Sequence, residues 1–107
     1  MTVGGHFQAG YETYSHAVQA IEQGLSQEQT NMLRMDKAKP DGLNDNCSIA
    51  YDVAKSLVSK PGPLPSGLWD RAVGAFGRDG TIGLLHYIGY YCYVSVILNG
   101  VDAAVPE

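Results

Sequence analysis

Apolar positions recur at helical spacing in five stretches of this chain. The first runs from His6 to about Gln23, and Gly24 stands where a left-handed, helix-ending residue belongs. Leu25-Ser26-Gln27-Glu28-Gln29 restarts at once, with Ser26 as N-cap and Gln29 completing a capping box. This second helix is expected to end near Met35, because Asp36-Lys37-Ala38-Lys39-Pro40-Asp41-Gly42 has loop composition. Asn44 or Asp45 caps a third helix carrying Ile49, Val53, Ala54 and Leu57. Lys60-Pro61-Gly62-Pro63-Leu64-Pro65 is the clearest break, after which Ser66 caps a fourth helix with Leu68, Trp69, Val73 and Phe76. Gly77-Arg78-Asp79-Gly80 ends that helix, and Thr81 caps a long apolar fifth one that stops at Asn99-Gly100. Met1 to Gly5 reads as a loose start and Val101 to Glu107 as a short tail. Nothing alternates with period two for long enough to make a strand, and no internal repeat is present. The expectation is an all-α fold of about five helices, with residues 1–107 forming one domain.

The fifth helix shapes the rest of the picture. Ile82 to Leu98 carries no formal charge, yet it is shorter than the ~20 residues of a spanning helix. Gly83, His86, Gly89 and Ser95 also interrupt it, so a helix buried on nearly all sides is expected rather than a membrane segment. Four other short helices supply few neighbours for it. Hydrophobic residues are 45% of the 107 and charged residues only 17%, an apolar balance for so small a chain. Both points imply a homo-oligomer, a trimer or a dimer or a higher assembly, with this helix at a subunit interface. The net charge of -4, with no basic run, argues against a nucleic-acid partner. Cys47 and Cys92 match no metal or redox spacing and read as buried free thiols of a reducing compartment. No charged segment followed by an apolar run opens the chain, so a cytoplasmic location is expected.

Two groups of residues suggest chemistry. Glu12 and His16 share one face of the first helix, and a carboxylate beside an imidazole favours the imidazolium and fixes its tautomer. That suits a general acid near neutral pH, although plain surface pairs have the same spacing. His86 lies in the charge-free helix among Tyr87, Tyr90, Tyr91 and Tyr93. Those tyrosines suit either a subunit interface or a pocket whose hydroxyls face a polar ligand. There is no Gly-rich phosphate loop, no His/Cys/carboxylate metal set and no serine elbow, so neither a metal nor a cofactor is expected.

Two segments together resemble the carboxymuconolactone decarboxylase family, the wider group that includes alkylhydroperoxidase-type proteins. One is Tyr11-Glu12-Thr13-Tyr14-Ser15-His16-Ala17 followed by Gly24-Leu25-Ser26, similar to the family's Glu-then-His helix and its Gly-Leu-Ser ending. The other runs from Phe76-Gly77 through Ile88-Gly89-Tyr90-Tyr91 to Leu98-Asn99 and resembles the family's final helix. Ala50-Tyr51-Asp52-Val53-Ala54 and Leu68-Trp69 fall where the middle helices belong. The second segment is similar in style to short fungal members from secondary metabolism.

Ala9 and Glu12 stand where the alkylhydroperoxidase branch has Cys-x-x-Cys, which excludes thiol peroxidase activity by that route. The likeness is to the decarboxylase branch, in an N-terminally shortened form. The resemblance implies an oligomeric, cofactor-independent lyase that decarboxylates a small oxygenated carboxylic acid or lactone. His16 would be the general acid, Glu12 its orienter, and His86 or Tyr90 the donor to an enolate oxygen. Tyr90, Tyr14 and Tyr91 would bind substrate. Dehydration, isomerisation or cyclisation with the same groups is the alternative reaction, and a non-catalytic binding or assembly protein the alternative class. A face carrying Glu12 and His16 is expected to add little to the core, so His16→Ala should leave fold and assembly nearly unchanged.

Overall fold

A computed structural model describes residues 1–106. It is all-helical in the order α1 (Thr2–His6), α2 (Gly10–Glu22), α3 (Gln27–Met35), α4 (Asp45–Ser59) and α5 (Ser66–Gly100), with no strand among the described residues. The punctuation of α2 to α4 follows the sequence. Gly24 takes φ +109°, and the Leu25 N–H closes α2 on the Ala20 carbonyl. At α3 the Gln29 N–H donates to Ser26 Oγ at 3.0 Å, while Gln29 Oε1 accepts from the Ser26 N–H at 2.8 Å. Asn44 is the N-cap of α4, its Oδ1 accepting from the Cys47 N–H at 2.8 Å.

The start of the chain is not loose. Val3, Gly4 and Gly5 are buried in α1, which touches all four other helices. Its two glycines are there for close approach. A Cβ at Gly5 would lie 2.0 Å from the Leu33 carbonyl oxygen, and one at Gly4 would lie 1.7 Å from Glu12 Oε2. The first helix of the sequence reading therefore begins later than His6, at Gly10.

The expected fourth and fifth helices meet within α5, and the expected break between them is confined to Gly77. Gly77 alone leaves helical geometry, at φ +73° and ψ 170°, a region only glycine enters without strain. Thr81 is not a cap. It is fully buried, and its hydroxyl donates back to the Gly77 carbonyl at 2.7 Å, steadying the bend. A straight 35-residue helix would be about 52 Å long, more than the 41 Å longest dimension of the molecule. The bend lets Ala72 before it and Ile88 after it meet Val53, Ala54 and Val3 in one core.

Beyond the bend, α5 is covered on one side only. Thr81, Ile88 and Ser95, spaced by sevens, are buried, whereas Tyr87, Tyr90, Tyr93, Val96 and Ile97 are exposed. Within one chain, α1, α2 and α4 cover that single side of it. By length and composition α5 is long and apolar enough to cross a membrane, and 17% of its most apolar 18-residue stretch is buried.

Candidate functional site

Glu12 and His16 meet on α2, the first turned toward α1 and the second toward α5. The Glu12 side chain is 1% exposed, because Gly4 of α1 leaves room for its carboxyl group. One oxygen, Oε1, lies 3.3 Å from His16 Nδ1. The other, Oε2, is buried without a hydrogen-bond partner. His16 Nδ1 also lies 3.0 Å from the Glu12 backbone carbonyl and 3.1 Å from Ser15 Oγ. Two Glu12 oxygens around Nδ1 place the ring proton there, which leaves Nε2 to take up or deliver a proton. This corrects the expectation for the face: with Glu12 inside, it is part of the interior, and removing the imidazole strips a buried carboxylate of its partner.

Tyr91 closes the group from α5. Its ring meets that of His16 edge-on, with centroids 5.4 Å apart. Burial first, and then the Glu12 carboxylate, push its hydroxyl above the usual tyrosine range, so it remains a protonated donor at neutral pH. Beyond Tyr91 opens a cavity of about 320 Å³, almost wholly apolar. Val3, Leu33 and Ile88 lie among its walls, with Cys47 and Tyr51 from α4 and Tyr87 and Tyr91 from α5. Neither Glu12 nor His16 lines it, and Tyr91 belongs to both places.

The structure thus brings together Glu12, His16 and Tyr91 and leaves the other three candidates outside. His86 and Tyr90 stand on the exposed side of α5, and Tyr14 on the exposed side of α2. Tyr90 reaches the group only through its edge contact with Tyr91, at 5.4 Å. His86 is not a buried core histidine, since its side of the helix has no neighbour. Cys47 is exposed and Cys92 half-buried, so the expectation of two buried thiols fails for Cys47, in the first turn of α4. Sequence reasoning missed Cys47, Ala50, Tyr51 and Ala54 as one cavity wall, although they sit at helical spacing and the two alanines leave the space. No group of three His, Cys, Asp or Glu side chains among the described residues is arranged to hold a metal. No protein-family profile, curated protein or solved structure matches this chain, so the reading of the site rests on its geometry and on the motifs in its sequence.

Proposed function

We propose that the chain is a cofactor-independent lyase of the carboxymuconolactone decarboxylase-like kind, acting on a small oxygenated acid or lactone with an apolar body. The observation that carries this reading is the Glu12 carboxylate, buried with one oxygen on His16 and the other unpartnered. Burying a carboxylate costs several kcal/mol after relaxation, and an apolar side chain would fill the same space without that cost. A buried carboxylate tied to a part-exposed imidazole, with one tyrosine between the pair and an apolar cavity, is the kind of arrangement that acid–base sites use.

In the proposed reaction the bond to the substrate carboxylate breaks and carbon dioxide leaves. Its electrons pass into a conjugated carbonyl to give an enolate, and His16 Nε2 delivers a proton to the carbon. Glu12 holds the imidazolium. Tyr91, whose ring meets that of His16, would take the place of His86 or Tyr90 as donor to the enolate oxygen, a contribution worth roughly 3 kcal/mol of barrier.

The test is carbon dioxide release from a panel of unsaturated lactone acids, by the wild type and by His16→Ala. The reading expects turnover of at least one member and a loss of ~10²–10⁴-fold in the variant. Equal rates in both proteins would reject it. The outward positions of His86, Tyr90 and Tyr14 favour a second reading, a binding or assembly protein of the same fold. A wild type inert towards the whole panel while still assembling would support that one.

A further inference from the structure

We infer that the cavity beside Tyr91 continues past Tyr87 into a second cavity at the bend of α5, and that the two together hold an extended alkyl chain. This chain is the tail of the oxygenated ligand proposed above, whose polar end lies at Tyr91; the inference rests on that reading for the polar end alone. The second cavity has a volume of about 390 Å³, beside about 320 Å³ for the first. Cys47, Ala50, Leu84 and Tyr87 line both, so α4 and α5 supply one shared wall. Phe76 and Gly80 stand on either side of Gly77 and line the far end. The bend that folds α5 around the core therefore also shapes this space. Small side chains keep it open: a Cβ at Gly83 would meet nothing within 4 Å, and Ala50 stops at its own Cβ.

The walls select the occupant. Among the described residues no charged side chain lines either cavity. A peptide strand laid there would bury backbone N–H and C=O groups against walls that are almost wholly carbon. A helix is about 10 Å across, so one as long as the groove needs roughly 1,200 Å³, more than the two cavities offer. An alkyl chain is thin and asks for no hydrogen bond. Its length follows from α5: Gly80 to Tyr91 is eleven steps of helix, about 16 Å, which a chain of about a dozen carbons spans. The polar end belongs at Tyr91, because that ring meets His16 and burial keeps its hydroxyl protonated as a donor.

Isothermal calorimetry of the full chain with γ-butyrolactone, γ-octalactone and γ-dodecalactone tests this without any turnover. Full burial of one CH2 tightens binding up to about fourfold, so each four added carbons should lower Kd by at least about tenfold. Gly83→Leu sends a side chain into the second cavity from a position where its Cβ meets nothing, so it should stay folded. It should bind γ-octalactone as the wild type does and γ-dodecalactone at least about tenfold more weakly than the wild type. Cys47 reports on the shared wall with no variant: saturating γ-dodecalactone should slow its alkylation by a maleimide several-fold, and γ-butyrolactone should not. Equal affinities for the three lactones would overturn the groove. So would a Gly83→Leu protein that binds γ-dodecalactone as tightly as the wild type, or a Cys47 that the long lactone leaves unprotected. Tail-dependent binding by a protein inert towards lactone acids would uphold the groove and reject the lyase. Turnover of short lactone acids without tail-dependent binding would do the reverse.

Discussion

Adding one methyl group to α1 gives a sharp test of how this fold closes. In Gly5→Ala the new Cβ would lie 2.0 Å from the Leu33 carbonyl oxygen, 3.1 Å from its carbon and 3.4 Å from the Arg34 carbonyl oxygen. These are backbone atoms at the end of α3, which cannot rotate aside as a side chain can. Relief requires α1 to move off α3 by about an ångström, loosening Val3 from the core. Overpacking of this sort costs ~1–3 kcal/mol, and the rigid neighbour places Gly5→Ala in the upper part of that range. Alanine's better helix propensity returns up to ~1 kcal/mol, leaving a net loss of about 2 kcal/mol. For a domain of this size that lowers Tm by roughly 10 °C. Gly74→Ala is the matched control, since a Cβ there meets nothing and the substitution should stabilise by ~0.5–1 kcal/mol. Urea and thermal unfolding followed by circular dichroism, at one protein concentration, would measure both. A loss below ~0.5 kcal/mol for Gly5→Ala, or equal shifts for the two variants, would refute the close docking of α1.

Gly77→Ala should destabilise by ~1–3 kcal/mol in urea unfolding, because φ +73° with ψ 170° strains any residue with a Cβ; a neutral result would remove the bend from the account. Stability should fall as pH rises past the ordinary tyrosine range. The folded-state pKa of Tyr91 is raised by burial and by Glu12, so its contribution is complete below the unfolded value and disappears as pH climbs through the folded one. Tyr91→Phe should flatten that decline in urea titrations run from pH 9 to 11, leaving the part due to Cys92, whose thiol burial also pushes up. Cys47 should react with a thiol reagent well before Cys92 in the native protein, as peptide mapping would show; the reverse order would contradict their placement.

Local punctuation was the most legible part of the sequence. The Ser26–Gln29 capping box, the Asn44 cap, the left-handed Gly24 and the end of α3 at Met35 depend on residues within a few positions of one another. Glu12 and His16 were legible as a pair for the same reason, since i,i+4 spacing on a helix forces the contact. What depends on distant neighbours was not. Val3-Gly4-Gly5 reads as slack, because the same residue type serves flexible ends and tight helix crossings. Only the approach of Leu33 and Glu12 tells the two apart. Four residues that look like a linker, Gly77 to Gly80, hold a bend confined to Gly77, since Arg78 resumes helical geometry at once. The depth of Glu12 was hidden for a related reason: a carboxylate on a helix reads as surface until the glycine that makes its room is placed beside it. Tyr91 could not be told from Tyr87, Tyr90 and Tyr93 by composition. Helical phase separates it, turning it toward His16 while its neighbours face outward.

The central claim is that His16, held by the buried Glu12, hands a proton to carbon. Turnover of an accepted lactone acid in D2O, followed by proton and deuterium NMR of the product, tests it most directly. The wild type should place one deuterium, on one face only, at the carbon that lost the carboxylate. His16→Gln keeps an amide N–H for the Glu12 carboxylate and so should stay folded. It should be slower by ~10²–10⁴-fold, and what product it forms should carry deuterium on both faces, as bulk solvent would deliver it. Product from His16→Gln at the wild-type rate, with deuterium on the same single face, would contradict the claim and assign the proton to another group.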